Sequence, residues 1–172
     1  MTLAEQVVAY LAQHGVPSAL IGGVALAVHG IARATLDVDV LVVDRAVCDD
    51  HFWHDWFGPG KPEIRRGDAD DPLAGVVRVT RGDEIVDIIA GKHAWQADML
   101  QRCVQVTLEG RSLPAVDRAD LILLKLFAGG PQDLVDVRLL LAADAGELRR
   151  EVERRISGLP VSVQSTWRSL PR

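Results

Sequence analysis

Residues 36–43 read LDVDVLVV. Apolar and acidic residues alternate as far as Val40, and the run is then wholly apolar; no other segment of the chain reads so clearly as a strand. Period-two alternation puts Asp37 and Asp39 on one face, ~6–7 Å apart along the strand, with Leu36, Val38, Val40 and Val42 on the other. Two carboxylates side by side on an apolar sheet repel unless something positive lies between them. Two environments relieve that repulsion. One is water, if this is the polar face of an edge strand. The other is a divalent cation such as Mg2+ (or Mn2+), which prefers hard carboxylate oxygens.

The flanking sequence supplies the elements around this strand. Residues 3–14 place Leu3, Val7, Val8 and Leu11 on one helical face, with Gly15 as the stop. Ser18–Ile21 predicts a short strand, Val24–Ile31 a small-residue helix, and residues 45–57 a helix carrying an aromatic cluster. Residues 58–74, rich in Gly, Pro and Asp, predict a loop. Strands over 75–81 and 84–89, joined by Gly82-Asp83, form a hairpin. A helix over 92–102 and a strand over 103–108 follow. Asp117 N-caps a helix through LILLKLFA that ends at Gly129-Gly130-Pro131. Residues 132–156 give one or two amphipathic helices, interrupted near Ala145-Gly146. The expected fold class is α+β (an α/β mixed sheet), with one sheet flanked by helices and a short helical C-terminal part. The expected organisation is a single domain over residues 1–156 and a polar, loosely held tail over 157–172.

Composition narrows the function classes. With 172 residues, 48% hydrophobic and 25% charged, the chain has the make-up of one soluble globular domain. Acidic residues outnumber basic ones 24 to 19, a net charge of -5, the opposite sign from a protein that coats nucleic acid. Cys48 and Cys103 are too few for a disulfide framework and are expected as reduced thiols. The N-terminus lacks the basic and apolar regions of a signal peptide, and no apolar run reaches the ~20 residues of a membrane span, so a cytoplasmic location with no membrane partner is expected.

Other residues extend the acidic pair. Asp87 lies within EIVDIIA, where an unpaired carboxylate would cost several kcal/mol; it is either a lone acid near a strand end or a third carboxylate beside Asp37 and Asp39. Gly22-Gly23 follows a strand and opens a helix, as a tight turn or as a loop that lets backbone N–H groups approach a phosphate. Arg33 and Thr35 fill the approach to the acidic strand and are candidates to hold a phosphate or to order the carboxylates. Lys125 is embedded in LILLKLF, and Asp133 and Asp136 follow on one helical face. Lys125 is either ion-paired to one of them or directed at nucleotide phosphates. His51 and His54 read as a surface pair rather than a metal site. Arg149, Arg150, Arg154 and Arg155, mixed with Glu147, Glu151 and Glu153, read as a salt-bridged solvent face or as a cradle for RNA or an acidic partner.

Ile21-Gly22-Gly23, followed by His29-Gly30-Ile31-Ala32-Arg33-Ala34-Thr35-Leu36-Asp37-Val38-Asp39-Val40, resembles the signature of the nucleotidyltransferase superfamily, in the form of its AbiEii/MenT-like toxin branch. Glu84-Ile85-Val86-Asp87-Ile88-Ile89 resembles the third-acid strand of that superfamily, and Asp120–Ala128 with Gln132–Asp136 its later lysine and aspartate motif. The resemblance spans roughly residues 18–140. It implies a polymerase-β-like fold and transfer of a nucleoside monophosphate from an NTP such as ATP to an acceptor hydroxyl on RNA or protein, in a toxin–antitoxin or defence setting with a toxin or antitoxin partner. It implies metal binding by Asp37 and Asp39, with Asp87 as third acid, and a triphosphate loop at Gly22 and Gly23. It further implies phosphate contact by Lys125 and a catalytic or structural acid at Asp133. Gln132 stands where the branch often has a basic residue, and Gly-Gly replaces the Gly-Ser of many members. A module that keeps the fold and binds nucleotide or a partner without catalysis is the alternative.

Overall fold

The computed structural model describes residues 1–32, 37–108, 110–143 and 145–171. Among the described residues, seven strands form one mixed sheet: β1 (Ser18–Ile21), β2 (Asp37–Val42), β3 (Glu63–Arg66), β4 (Gly75–Arg81), β5 (Glu84–Ala90), β6 (Val104–Leu108) and β7 (Arg111–Ala115). Their order across the sheet is β3-β4-β5-β2-β1-β7-β6. The acidic strand β2 is therefore central, antiparallel to β1 and parallel to β5. The helices are α1 (Leu3–Gln13), α2 (Gly22–Val28), α3 (Ala94–Gln101), α4 (Arg118–Ala128), α5 (Pro131–Ala143), α6 (Ala145–Arg155) and α7 (Val161–Ser169).

The alternation of each strand sorts its side chains between two cores. On one face Leu3, Val7 and Leu11 of α1 pack with Val40, Val42, Val86, Ile88, Val77 and Val79. On the other, Ala19 of β1 and Leu26 of α2 join α3 to α7 in a second core that includes Leu121, Leu123, Val137 and Leu140. Asp37, Asp39 and Leu41 share the second face, as period two requires. Asp117 caps α4 by accepting from the Asp120 amide at 2.9 Å, and Gly129 ends that helix at φ +68. His29 Nε2 donates to the Val116 carbonyl at 2.9 Å, and Arg118 donates to the His29 carbonyl at 3.1 Å, tying the end of α2 to the start of α4.

Three expectations are corrected, and one strand, β7, is unexpected. Residues 45–57 are not one helix but two 3-10 turns, Arg45–Cys48 and Asp50–Trp53. Asp49 sits extended between them and accepts from the His51 amide at 2.9 Å, starting a new turn instead of continuing the old one. The segment 58–74 contains β3, whose EIRR sequence has no apolar alternation and owes its strand form to pairing with β4. β7 carries Pro114, which argues against an interior strand; its pairing with β1 is confined to Leu20↔Ala115, so Pro114 lies clear of that ladder. The segment 157–172 is not loose over its described residues: α7 buries Val163 and Trp167, and Leu170 follows them into the second core.

Candidate active site

A row of side chains crosses the sheet at the mouth of β1, β2 and β5. Register places Ile21 of β1 opposite Asp39 of β2, Asp39 opposite Asp87 of β5, and Asp87 opposite Arg78 of β4. Asp37 lies two residues from Asp39 on the same face. The three expected acids thus come together, and Asp87 is buried.

Burial, then the charges of Asp87 and Asp37, push the Asp39 carboxyl up to about 6; Lys125 and Arg78 pull it back. Gly22 explains how the chain tolerates this carboxylate so close to β1. At φ +62, a Cβ on residue 22 would stand 1.9 Å from Asp39 Oδ2. Glycine there supplies both the left-handed backbone and the room for the carboxylate. Gly22 and Gly23 form the first turn of α2, beside the acidic row. Arg33 and Thr35 lie outside the described residues.

Arg78 is the site residue that sequence reasoning missed. Its Nε donates to Asp87 Oδ1 at 2.8 Å and its Nη2 to Oδ2 at 2.6 Å, a bidentate clamp on both oxygens. The Arg78 side chain remains 47% exposed while that of Asp87 is 11% exposed, so the guanidinium covers the acid and keeps donors facing solvent. Arg78→Met is expected to lower Tm by leaving Asp87 buried without its cation, and Arg78→Met/Asp87→Asn is expected to recover most of that loss; thermal unfolding of the two variants checks it.

Lys125 takes the ion-paired arrangement. Its Nζ lies 2.8 Å from Asp133 Oδ1 and 2.9 Å from Asp136 Oδ2. Burial works to lower its pKa, and the bonds to Asp133 and Asp136 more than offset that, so the ammonium stays charged. Asp133 also accepts from the Gly130 amide at 3.2 Å, which fixes the turn between α4 and α5. The ammonium that moderates Asp39 is thus held in place by two acids of α5.

The donor chemistry fits a hard cation at Asp37 and Asp39, two carboxylates on one face with Asp39 pushed up by burial and by its acidic neighbours. Among the described residues, no group of three or more His, Cys, Asp or Glu side chains is arranged to hold a metal ion, and Arg78 occupies both oxygens of Asp87. The arginine cluster of α6 is largely committed. Arg155 pairs with Asp117, Asp120 and Glu151, Arg154 pairs with Glu151, and Arg149 lies over the Trp167 ring at 4.9 Å. His51 and His54 stack on each other, 4.9 Å between ring centroids.

The fold recurs in solved structures. The antibiotic-resistance factor ANT(2'')-Ia in solution aligns over 90% of this chain and 90% of its own, with a TM-score of 0.59 at 15% identity. Its crystal structure in complex with adenylyl-2''-tobramycin aligns at 0.59 and 14%, over 90% of this chain and 95% of that one. TM1012 of Thermotoga maritima, a proposed nucleotidyltransferase, aligns at 0.57 and 12%, over 82% and 91%. The chain has the nucleotidyltransferase fold. No protein-family model matches the sequence, and no curated protein matches it. Within the nucleotidyltransferase fold, the acidic row lies near the start of β2, at the middle of β5 and at the end of β1. Among the described residues, no helix is long and apolar enough to cross a membrane.

Proposed function

We propose that this protein is a metal-dependent nucleotidyltransferase that moves a nucleoside monophosphate from an NTP to an acceptor hydroxyl. The observation that carries the reading is the acidic row: Asp39, pushed up to about 6 by burial and by Asp87 and Asp37, beside a glycine that cannot be anything larger. Asp37 and Asp39 would hold Mg2+ or Mn2+, which neutralises charge on the α-phosphate oxygens when bound. The acceptor oxygen bonds to the α-phosphorus, the bond from that phosphorus to the β-phosphate oxygen breaks, and pyrophosphate leaves. The hydroxyl proton passes to Asp87, which requires Arg78 to give up one of the two oxygens it holds. The freed guanidinium edge and the Lys125 ammonium, with Asp133 keeping the latter in place, face the triphosphate beside Gly22 and Gly23. Arg33 and Thr35 remain candidates for the same phosphates.

The acceptor we favour is macromolecular, a tRNA 3′ end or a protein hydroxyl, in a cytoplasmic toxin–antitoxin or defence setting. The support is the likeness of residues 21–40 to the AbiEii/MenT-like branch. Incubation of the purified chain with Mg2+, each α-labelled NTP, and total cellular RNA and protein tests this. Label is expected in one macromolecular fraction, and its absence from both overturns the macromolecular acceptor.

One observation favours a second reading, a catalytically silent nucleotide-binding or antitoxin-like module. Arg78 already supplies the positive charge that Asp87 needs. That reading expects stoichiometric co-purification of a partner and no metal-dependent nucleotide binding.

A further inference from the structure

Glu63, Arg78, Asp87 and Asp39 lie opposite one another in a row across β3, β4, β5 and β2. Register puts all four on the face that carries Asp37. Arg78 thus stands between two acids, and it is Asp87 that it grips. Nε and Nη2 take one oxygen each, at 2.8 and 2.6 Å. The charges of Asp37 and Glu63 add to the attraction of Asp87 for this guanidinium. Only 11% of the Asp87 side chain meets solvent, and the guanidinium sits on both of its oxygens.

Polymerase-type phosphoryl-transfer sites commonly hold two divalent cations about 3.5–4 Å apart. A second cation in this row needs an oxygen of Asp87. Each of those oxygens already accepts from a charged donor, and arginine has no lone pair with which to join the ligand shell of a metal. A divalent ion on either oxygen would face the guanidinium at close range, and like charges in a partly buried row repel. The guanidinium is also tethered on the neighbouring strand, so it competes with a free ion at high effective concentration. We propose that Arg78 takes the place of a second cation: the site carries one divalent ion, held by Asp37 and Asp39, and one fixed organic cation on Asp87. This rests on the nucleotidyltransferase reading. The charges of the row balance accordingly. When ionised, Asp37, Asp39 and Asp87 are each singly negative; Arg78 offsets Asp87, and one Mg2+ offsets the pair that holds it. Lys125 stands outside this balance, because Asp133 and Asp136 hold it.

Equilibrium dialysis against Mn2+ and α,β-methylene-ATP counts the ions and nucleotides on each chain. Electron paramagnetic resonance of the same samples shows whether two Mn2+ ions lie close enough to couple magnetically. Wild type is expected to hold one Mn2+ per nucleotide, with an uncoupled spectrum. Arg78→Met is expected to hold two, coupled, and Arg78→Met/Asp87→Asn to return to one. A coupled pair on wild type, or a lone ion on folded Arg78→Met, overturns the assignment and leaves the nucleotidyltransferase reading standing. A coupled pair on the double variant overturns it too, since that pair does without the Asp87 carboxylate. The wild-type spectrum decides the matter even where Arg78→Met does not fold. Binding of neither Mn2+ nor nucleotide to wild type overturns both readings together.

Discussion

Asp39→Asn is expected to abolish nucleotidyl transfer and at the same time to stabilise the fold. The loss follows from removing one of two carboxylates that carry the cation; ~4 kcal/mol of transition-state stabilisation corresponds to a fall in kcat of about 1,000-fold. The gain follows from electrostatics. Burial, Asp87 and Asp37 push the Asp39 carboxyl from 3.8 to about 6, so its ionised form is disfavoured in the folded state. An acid whose pKa rises on folding binds its proton in the native chain where the unfolded chain has released it. Stability therefore falls as pH rises from 3.8 towards about 6, and the full penalty is present above that. A neutral amide escapes it, and the variant is expected to be more stable than wild type by about 2 kcal/mol at pH 7.5, with the difference vanishing near pH 3.5. Urea unfolding at the two pH values checks the sign. A structural carboxylate engaged in a favourable pair would show the reverse, destabilisation on removal.

Gly22→Ala is the second large effect. The new methyl would stand 1.9 Å from Asp39 Oδ2 and 2.8 Å from its Cγ, at a backbone φ of +62. Asp39 must turn away or the start of α2 must move, and either disperses the acidic row. The expected cost is about 3 kcal/mol in stability, from strain and overpacking together, with transfer activity lost. Gly15→Ala is the control. Gly15 also has a positive φ, +72, but an added Cβ meets nothing within 4 Å. Its expected cost is about 1 kcal/mol, with activity retained. If the two substitutions behave alike, strain alone accounts for Gly22 and the close approach of Asp39 plays no part.

The parts of the site carried by local pattern were legible in the sequence, and those carried by long-range pairing were not. Alternation in LDVDVLVV set Asp37 and Asp39 on one face, and the apolar setting of Asp87 marked it as costly. Their adjacency depends on β2 lying parallel beside β5, a contact across 48 residues of chain that no local periodicity encodes. Arg78 was within reach. A two-residue Gly82-Asp83 loop puts Arg81 opposite Glu84, and counting back three residues along each strand puts Arg78 opposite Asp87. Lys125 had two arrangements open because α5 begins beyond the Gly129-Gly130 turn, and the angle of that turn decides which acids reach it. β3 and α7 show the other limit. EIRR is a strand because β4 pairs with it, and VSVQSTWRS becomes an anchored helix because Val163 and Trp167 find the second core. In both, the partner determines the structure and lies outside the segment's own sequence.

Nucleotidyl transfer requires cleavage between the α- and β-phosphates of an NTP at this acidic row. Pyrophosphate released per nucleotidyl group transferred, measured for wild type and Asp39→Asn with Mg2+ and with EDTA, tests it. The prediction is one pyrophosphate per transferred group in wild type with Mg2+, and neither product from the variant or in EDTA. Release of orthophosphate in place of pyrophosphate, or undiminished transfer by Asp39→Asn, would contradict it.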